Sequence, residues 1–132
     1  MIRSMTALLH PGQYKIVCQP EESKKAPANS YDAQFSVHYT MAASILHGRF
    51  TLDELDEQAI RDPRALDLCA KAHYAEDPDS RFPRYYSGEV VIETTDGRTL
   101  RHREEFNRGS DGQPLGAADV ERKFTDNASR VL

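Results

Sequence analysis

Lys24, Lys25, Asp32 and Ser36 come nearest, among the residues of this 132-residue chain, to the types and spacing of a chemical site. They flank a proline-punctuated loop that runs into the expected start of a helix. A helix N-terminus carries free amides and a partial positive charge, so it can receive a carboxylate or phosphate with a lysine assisting. A helix cap beside two solvated lysines gives the same pattern, and the spacing does not separate the two readings. No residue earns a catalytic assignment. Cys18 and Cys69 lie far apart with no activating His beside either, and His38 and His47 fall out of line on one helix. Zinc-type spacing and a cysteine nucleophile are therefore missing. No glycine pair opens a helix as a phosphate loop does, and no Gly-x-Ser-x-Gly elbow occurs. Asp53, Glu54, Asp56 and Glu57 read as charges that favour a helix N-terminus.

Composition narrows the classes further. Hydrophobic residues make up 39% and charged residues 29%, below the usual apolar share of a globular domain. With a mean hydropathy of -0.68, the pattern predicts a folded chain with a thin core that leans on a partner. The net charge of -4 leaves no basic face for nucleic acid. No apolar run approaches a membrane span, and Met1 to Leu9 lacks the length of a signal-peptide core. Two cysteines are expected to stay reduced and partly buried, in a cytoplasmic setting.

The elements that would position Lys25, Asp32 and Ser36 follow from periodicity and punctuation. Residues 1–13 form an irregular lead-in, and 14–132 a single domain. Tyr14 to Cys18 is rich in strand formers and is expected as a strand stopped by Pro20. Glu21 to Asn29 is expected as a polar loop. Ala33 to His47 carries Phe35, Tyr39, Ala42, Ile45 and Leu46 on one stripe, with Asn29, Ser30 or Asp32 as cap and Gly48 as terminator. Thr51 and Glu54 form a capping box before a short helix to Ile60 that turns Leu52, Leu55 and Ile60 inward. Asp62-Pro63 restarts a helix with Leu66, Cys69 and Ala70 inward. Ala72 to Glu76 is a strand, and Val90 to Thr95 and Thr99 to Glu105 form a hairpin about Asp96-Gly97, expected as a type I′ turn. Ala117 to Leu132 closes the chain as an amphipathic helix carrying Val120, Phe124, Ala128 and Val131. Together these predict an α+β two-layer sandwich, a small mostly antiparallel sheet with helices on one face.

The same residues carry a resemblance. The run from Lys25 through Asp32, Ala33, Phe35, Ser36 and Tyr39, followed by Ala42-Ala43 and Gly48, resembles a segment of the MmgE/PrpD (2-methylcitrate dehydratase-like) family. The later order agrees: Asp62-Pro63 with Leu66, then Val91 to Thr95 with Asp96-Gly97-Arg98, and a finish through Gly112, Pro114, Asp119-Val120 and Lys123-Phe124. It covers the chain from about Ile16 onward. Members of that family are dehydratases, decarboxylases and epimerases of small di- or tricarboxylates that need no metal or organic cofactor. They pair a large helical domain, which holds most of the acid–base residues, with a small α+β domain that closes over the site. The resemblance implies that this chain is the small C-terminal domain, that Lys25, Asp32 and Ser36 face or shape the pocket, and that it is inactive alone. Met1 to Gln13 and the stop at Leu132 depart from the family pattern, which points to a truncated, split or decayed gene product.

Three readings follow. The first is a fragment or subunit of such an enzyme, partnered by a helical domain that docks on an open apolar face such as one side of Phe35–Leu46. The second is a free-standing, non-enzymatic domain that binds a carboxylate or self-associates as a homodimer. The third, an autonomous enzyme using Lys25, Asp32 or His38, requires those groups to converge with shifted pKa values.

Overall fold

The computed structural model describes all residues from Met1 to Leu132. Its central element is a strand that local propensity hides. β1 (Ile2–Leu9) buries Met5, Ala7 and Leu9 and leaves the alternate residues half-exposed, the period-2 pattern of a strand covered on one face. The lead-in expected over 1–13 is thus corrected. Arg3, Ser4, Ala7 and two leucines are weak strand formers, and it is pairing on both sides of β1 that makes the strand. The sheet order is β2-β1-β3-β4. β2 (Ala72–Glu76) lies parallel to β1, whereas β3 (Gly88–Thr94) pairs antiparallel with β1 and with β4 (Thr99–Glu104).

Tyr14 to Cys18, expected as a strand, forms α1 (Tyr14–Val17). Tyr14, Val17 and Cys18 all join the core, a spacing of three and four that is helical despite the β-branched residues. The expected polar loop contains α2 (Glu21–Lys25), whose first turn is acidic and last turn basic, complementing the helix dipole. The long helix over 33–47 divides into α3 (Ser30–Gln34) and α4 (Val37–His47). Phe35 leaves helical geometry, and Ser36 starts α4 by accepting a hydrogen bond from the Tyr39 amide at 3.0 Å. Asn29 caps α3 and Gly48, at φ 69°, ends α4, both as expected.

Glu54 accepts from the Thr51 amide at 2.7 Å and from the Thr51 hydroxyl at 2.8 Å, but that hydroxyl accepts from the Asp53 amide and not from the Glu54 amide. The segment therefore breaks into a 3₁₀ turn, Asp53–Leu55, and α5 (Glu57–Ile60) with Asp56 as a new cap. Ile60 is buried, while Leu52 is exposed rather than inward. α6 (Pro63–Ala70) begins on Asp62 as expected; it buries Ala65 and Cys69, leaving Leu66 half-buried and Ala70 outside. The β3–β4 hairpin stands, but its corner is not type I′. Only Gly97, at φ 87°, is left-handed, and the Thr94 hydroxyl accepts from the Arg98 amide at 3.1 Å. This is the geometry of a three-residue loop closed by a left-handed glycine.

α4 and α6 pack on the Met5–Ala7–Leu9 side, so the expected α+β class with helices over one face holds. The opposite face is polar: Arg3 pairs with Glu93 at 2.7 Å and Arg101 with Glu89 at 3.1 Å. α7 (Ala117–Ala128) closes the chain without burying any residue. The stripe of α4 expected to stay open is instead in the core, with Tyr39 and Ala42 fully covered; the open stripe lies on α7. No helix is long and apolar enough to cross a membrane.

The one-sided burial of β1 predicts that Met5→Ala lowers the unfolding free energy by about 2–4 kcal/mol. Thr6→Ala, on the polar face, is expected to change it by less than about 1 kcal/mol. Urea titration of both variants checks the register, since a one-residue slip reverses the order.

Candidate functional site

Where the chain turns from α2 into α3 and α4, three carbonyls decide what the lysines and Ser36 do. The Lys24 ammonium donates to the Ile16 and Phe35 carbonyls, both at 2.7 Å. The Ser36 hydroxyl donates to the Lys24 carbonyl at 2.5 Å while capping α4. Ser36 is 1% exposed, so this hydroxyl is part of the frame and not open to a ligand. The break at Phe35 leaves its carbonyl in need of a partner, and the carbonyls of Ile16 and Lys24 complete the frame.

Asp32 and Lys25 leave the frame on different sides. Asp32 is exposed and lines a shallow groove of about 260 Å³ with Ile16, Lys24, Tyr31 and Phe35. Lys25 is not part of that groove. Its ammonium meets Glu21 at 3.2 Å, and the same carboxylate oxygen reaches the His38 Nε2 at 3.3 Å. The structure thus brings Lys25 together with Glu21 and His38, and separates it from Asp32 and Ser36.

The Glu21–His38 contact was not legible in the sequence, where Glu21 sat in an expected loop. Its signal was the four-residue spacing of Glu21 and Lys25, which pairs only once α2 is read as a helix. His38 is fully buried on α4 and sits edge-on to Tyr74, with ring centroids 5.9 Å apart. Its Nδ1 is buried and has no hydrogen-bond partner. Burial pulls the His38 pKa below the ordinary imidazole value, against the opposing pull of Glu21. Glu21 is held below the usual carboxylate range, first by its hydrogen bond from Lys25. Burial pushes Cys18 and Cys69 up to about 11, which keeps both thiols protonated and unreactive at neutral pH.

Two further charge groups are structural. Glu54, 2% exposed, binds Arg49 at 2.9 Å, and its carbonyl accepts from the Tyr39 hydroxyl. Asp77, at the end of β2, holds Arg103 of β4 at 3.1 Å, and Arg103 also reaches Glu105 at 2.7 Å. Those contacts raise the Arg103 pKa and tie the hairpin to the parallel edge. No three His, Cys, Asp or Glu side chains gather closely enough to hold a metal ion.

The model of the MmgE/PrpD C-terminal domain matches this chain over residues 1–132. The chain belongs to the MmgE/PrpD family. Cis-aconitate decarboxylase of Mus musculus is 31% identical over 108 residues, 80% of this chain and 22% of that protein. The Homo sapiens cis-aconitate decarboxylase matches with the same identity and coverage. The chain therefore spans about a fifth of the length of these MmgE/PrpD relatives. Because the family match begins at residue 1, Met1 to Gln13 belongs to the MmgE/PrpD pattern, which corrects the departure expected there.

Acid should loosen this corner. The unfolded chain takes up a proton on His38 near pH 6.5, and the folded chain only at lower pH, so the His38 contribution is complete above 6.5 and lost as pH falls. Glu21 adds a loss of the same sign below about 4.5. Chemical denaturation between pH 7.5 and about 5 is expected to show falling stability, and His38→Gln a flatter profile. Ser36→Ala should cost about 1–2 kcal/mol by the same measurement.

Proposed function

We propose that this chain is the small, lid-type α+β domain of an MmgE/PrpD enzyme that dehydrates or decarboxylates a small di- or tricarboxylate, and that it is catalytically silent alone. Removing a proton or CO₂ next to a carboxylate requires a base within hydrogen-bond reach and charge stabilisation at the carbon's neighbours. The observation that carries the reading is how the domain's own candidate groups are engaged. Ser36 caps a helix, His38 is buried, both thiols are held protonated, and Lys25 pairs with Glu21 and is not in the groove that Asp32 lines. A domain of this kind supplies closure and one cation, and takes its base from another part of the enzyme. The similarity to cis-aconitate decarboxylases supports the substrate class.

Lys25 is the residue assigned to the substrate's carboxylate. Its ammonium has a single ion-pair partner, Glu21, and its side chain is half-buried. A polycarboxylate brought to this face can replace Glu21 in a charge-assisted hydrogen bond. Asp32 shapes the neighbouring groove, and Ser36 holds the corner in place. Its buried thiols, resting charge of -4 and lack of a basic face fit a cytoplasmic enzyme domain.

The test is a chimaera of the mouse decarboxylase in which this chain replaces the segment it aligns with. Decarboxylation of cis-aconitate is expected from the chimaera and not from the mouse enzyme lacking that segment. In the chimaera Lys25→Ala should raise KM about tenfold with a smaller change in kcat. A folded chimaera with no turnover, or one indifferent to Lys25, contradicts the reading.

A further inference from the structure

α2 packs on α4 without burying any of its own residues, and its Glu21 is the hydrogen-bond partner of the fully buried His38. A carboxylate kept ionised can only accept, so the His38 Nε2 carries the proton of that 3.3 Å contact. Nδ1 is then the bare ring nitrogen, and it is buried with no partner. A further proton must enter there. It would create a positive ring whose new N–H has no acceptor, a buried donor left unpaired. The surroundings give such a ring little help. Lys25 of α2 and a charged His73 of β2 oppose a second cation, and Glu21 alone favours it. Tyr74 of β2 meets the ring edge-on. Among its titratable groups α6 buries only the Cys69 thiol, held protonated, and the buried side chains of β1 and α3 are Met5, Ala7, Leu9 and Ala33.

What yields to that proton is decided by how each neighbour is held. β2 is paired with β1 residue by residue, from Met5–Ala72 to Leu9–Glu76. α2 is five residues long and is held by the Glu21–His38 contact, by the Lys24 ammonium on the Ile16 and Phe35 carbonyls, and by the Ser36 hydroxyl on the Lys24 carbonyl. A segment with no buried residue opens before a paired strand does. We infer that His38 is a proton-operated latch for α2: on taking a proton at Nδ1 it releases α2 from α4, and Lys24 and Lys25 leave with the helix while the sheet stays closed. Opening brings the ring to water, so the opened form binds the proton more tightly than the closed one. The latch is therefore shut at full strength above about pH 6.5, and below it the opened fraction rises by up to about tenfold for each unit of acid. The latch does not depend on the proposed function, but on that reading acid withdraws the Lys25 ammonium from the substrate.

NMR on the full chain, labelled with ¹⁵N and ¹³C, tests the latch. At about pH 7.5, long-range ¹H–¹⁵N spectra should show His38 with its proton on Nε2. From there to about pH 5 the Lys24 ε-methylene signal should move with the same midpoint as His38, while the β1 amides keep their positions. Glu21→Gln keeps an acceptor for Nε2 but removes the charge that favours the imidazolium, so His38 and Lys24 should both titrate at lower pH, and still together. In His38→Gln the Lys24 signal should no longer move over that range. A proton on Nδ1 at neutral pH, a Lys24 signal that stays still while His38 titrates, or one whose midpoint does not follow His38 in Glu21→Gln overturns the latch. Loss of the β1 amides at the same midpoint also overturns it, because the whole domain then unfolds and α2 does not open by itself.

Discussion

Burial on one side of β1 is the constraint that the remaining structure obeys. Met5, Ala7 and Leu9 give α4 and α6 a surface to cover, while Ser4, Thr6 and Leu8 turn to the polar face. With β2 parallel on one flank and β3 antiparallel on the other, β1 sets the register of both neighbours. The segment after β1 folds back through α1 and α2 onto α4, which brings Lys24 to the break at Phe35. That break, more than any motif, shapes the candidate site. It frees the Phe35 carbonyl, which Lys24 satisfies together with that of Ile16, while the Ser36 hydroxyl donates to the Lys24 carbonyl and Lys25 pairs with Glu21.

The parts legible in the sequence were those with local causes. Gly48, Asp62-Pro63 and the Asp96-Gly97 corner act through their own backbone preferences, and each stands where periodicity placed it. The missed parts have non-local causes. β1 is built from residues of mixed propensity and is made a strand by its two neighbours. α1 carries strand formers but serves the core at helical spacing, so tertiary packing overrides propensity. The helix over 33–47 buries Tyr39 and Ala42 of its expected stripe but leaves Ile45 exposed, and it is broken at Phe35, because a buried Ser36 hydroxyl is worth more as a cap than as an interior helical residue.

For the site, the sequence supplied the neighbourhood and not the division of labour. Lys25, Asp32 and Ser36 are close along the chain, yet the fold assigns them to an ion pair, a groove and a cap. Reading Glu21–Lys25 as a loop concealed the carboxylate that links Lys25 to His38. The open apolar face was expected on α4, the best-patterned helix. Good patterning is what a core helix shows, and the unpartnered stripe is found on α7, whose polar side is held by ion pairs.

The domain thus combines a closed core, a corner where Lys25 pairs with Glu21, and an exposed apolar stripe on α7. The most direct measurement is ¹³C NMR of labelled cis-aconitate incubated with the purified 132-residue chain. Dependence on a base outside this domain requires that the spectrum stay unchanged at protein concentrations equal to the substrate. Release of labelled CO₂, or a hydrated product, from the chain unaided contradicts that dependence.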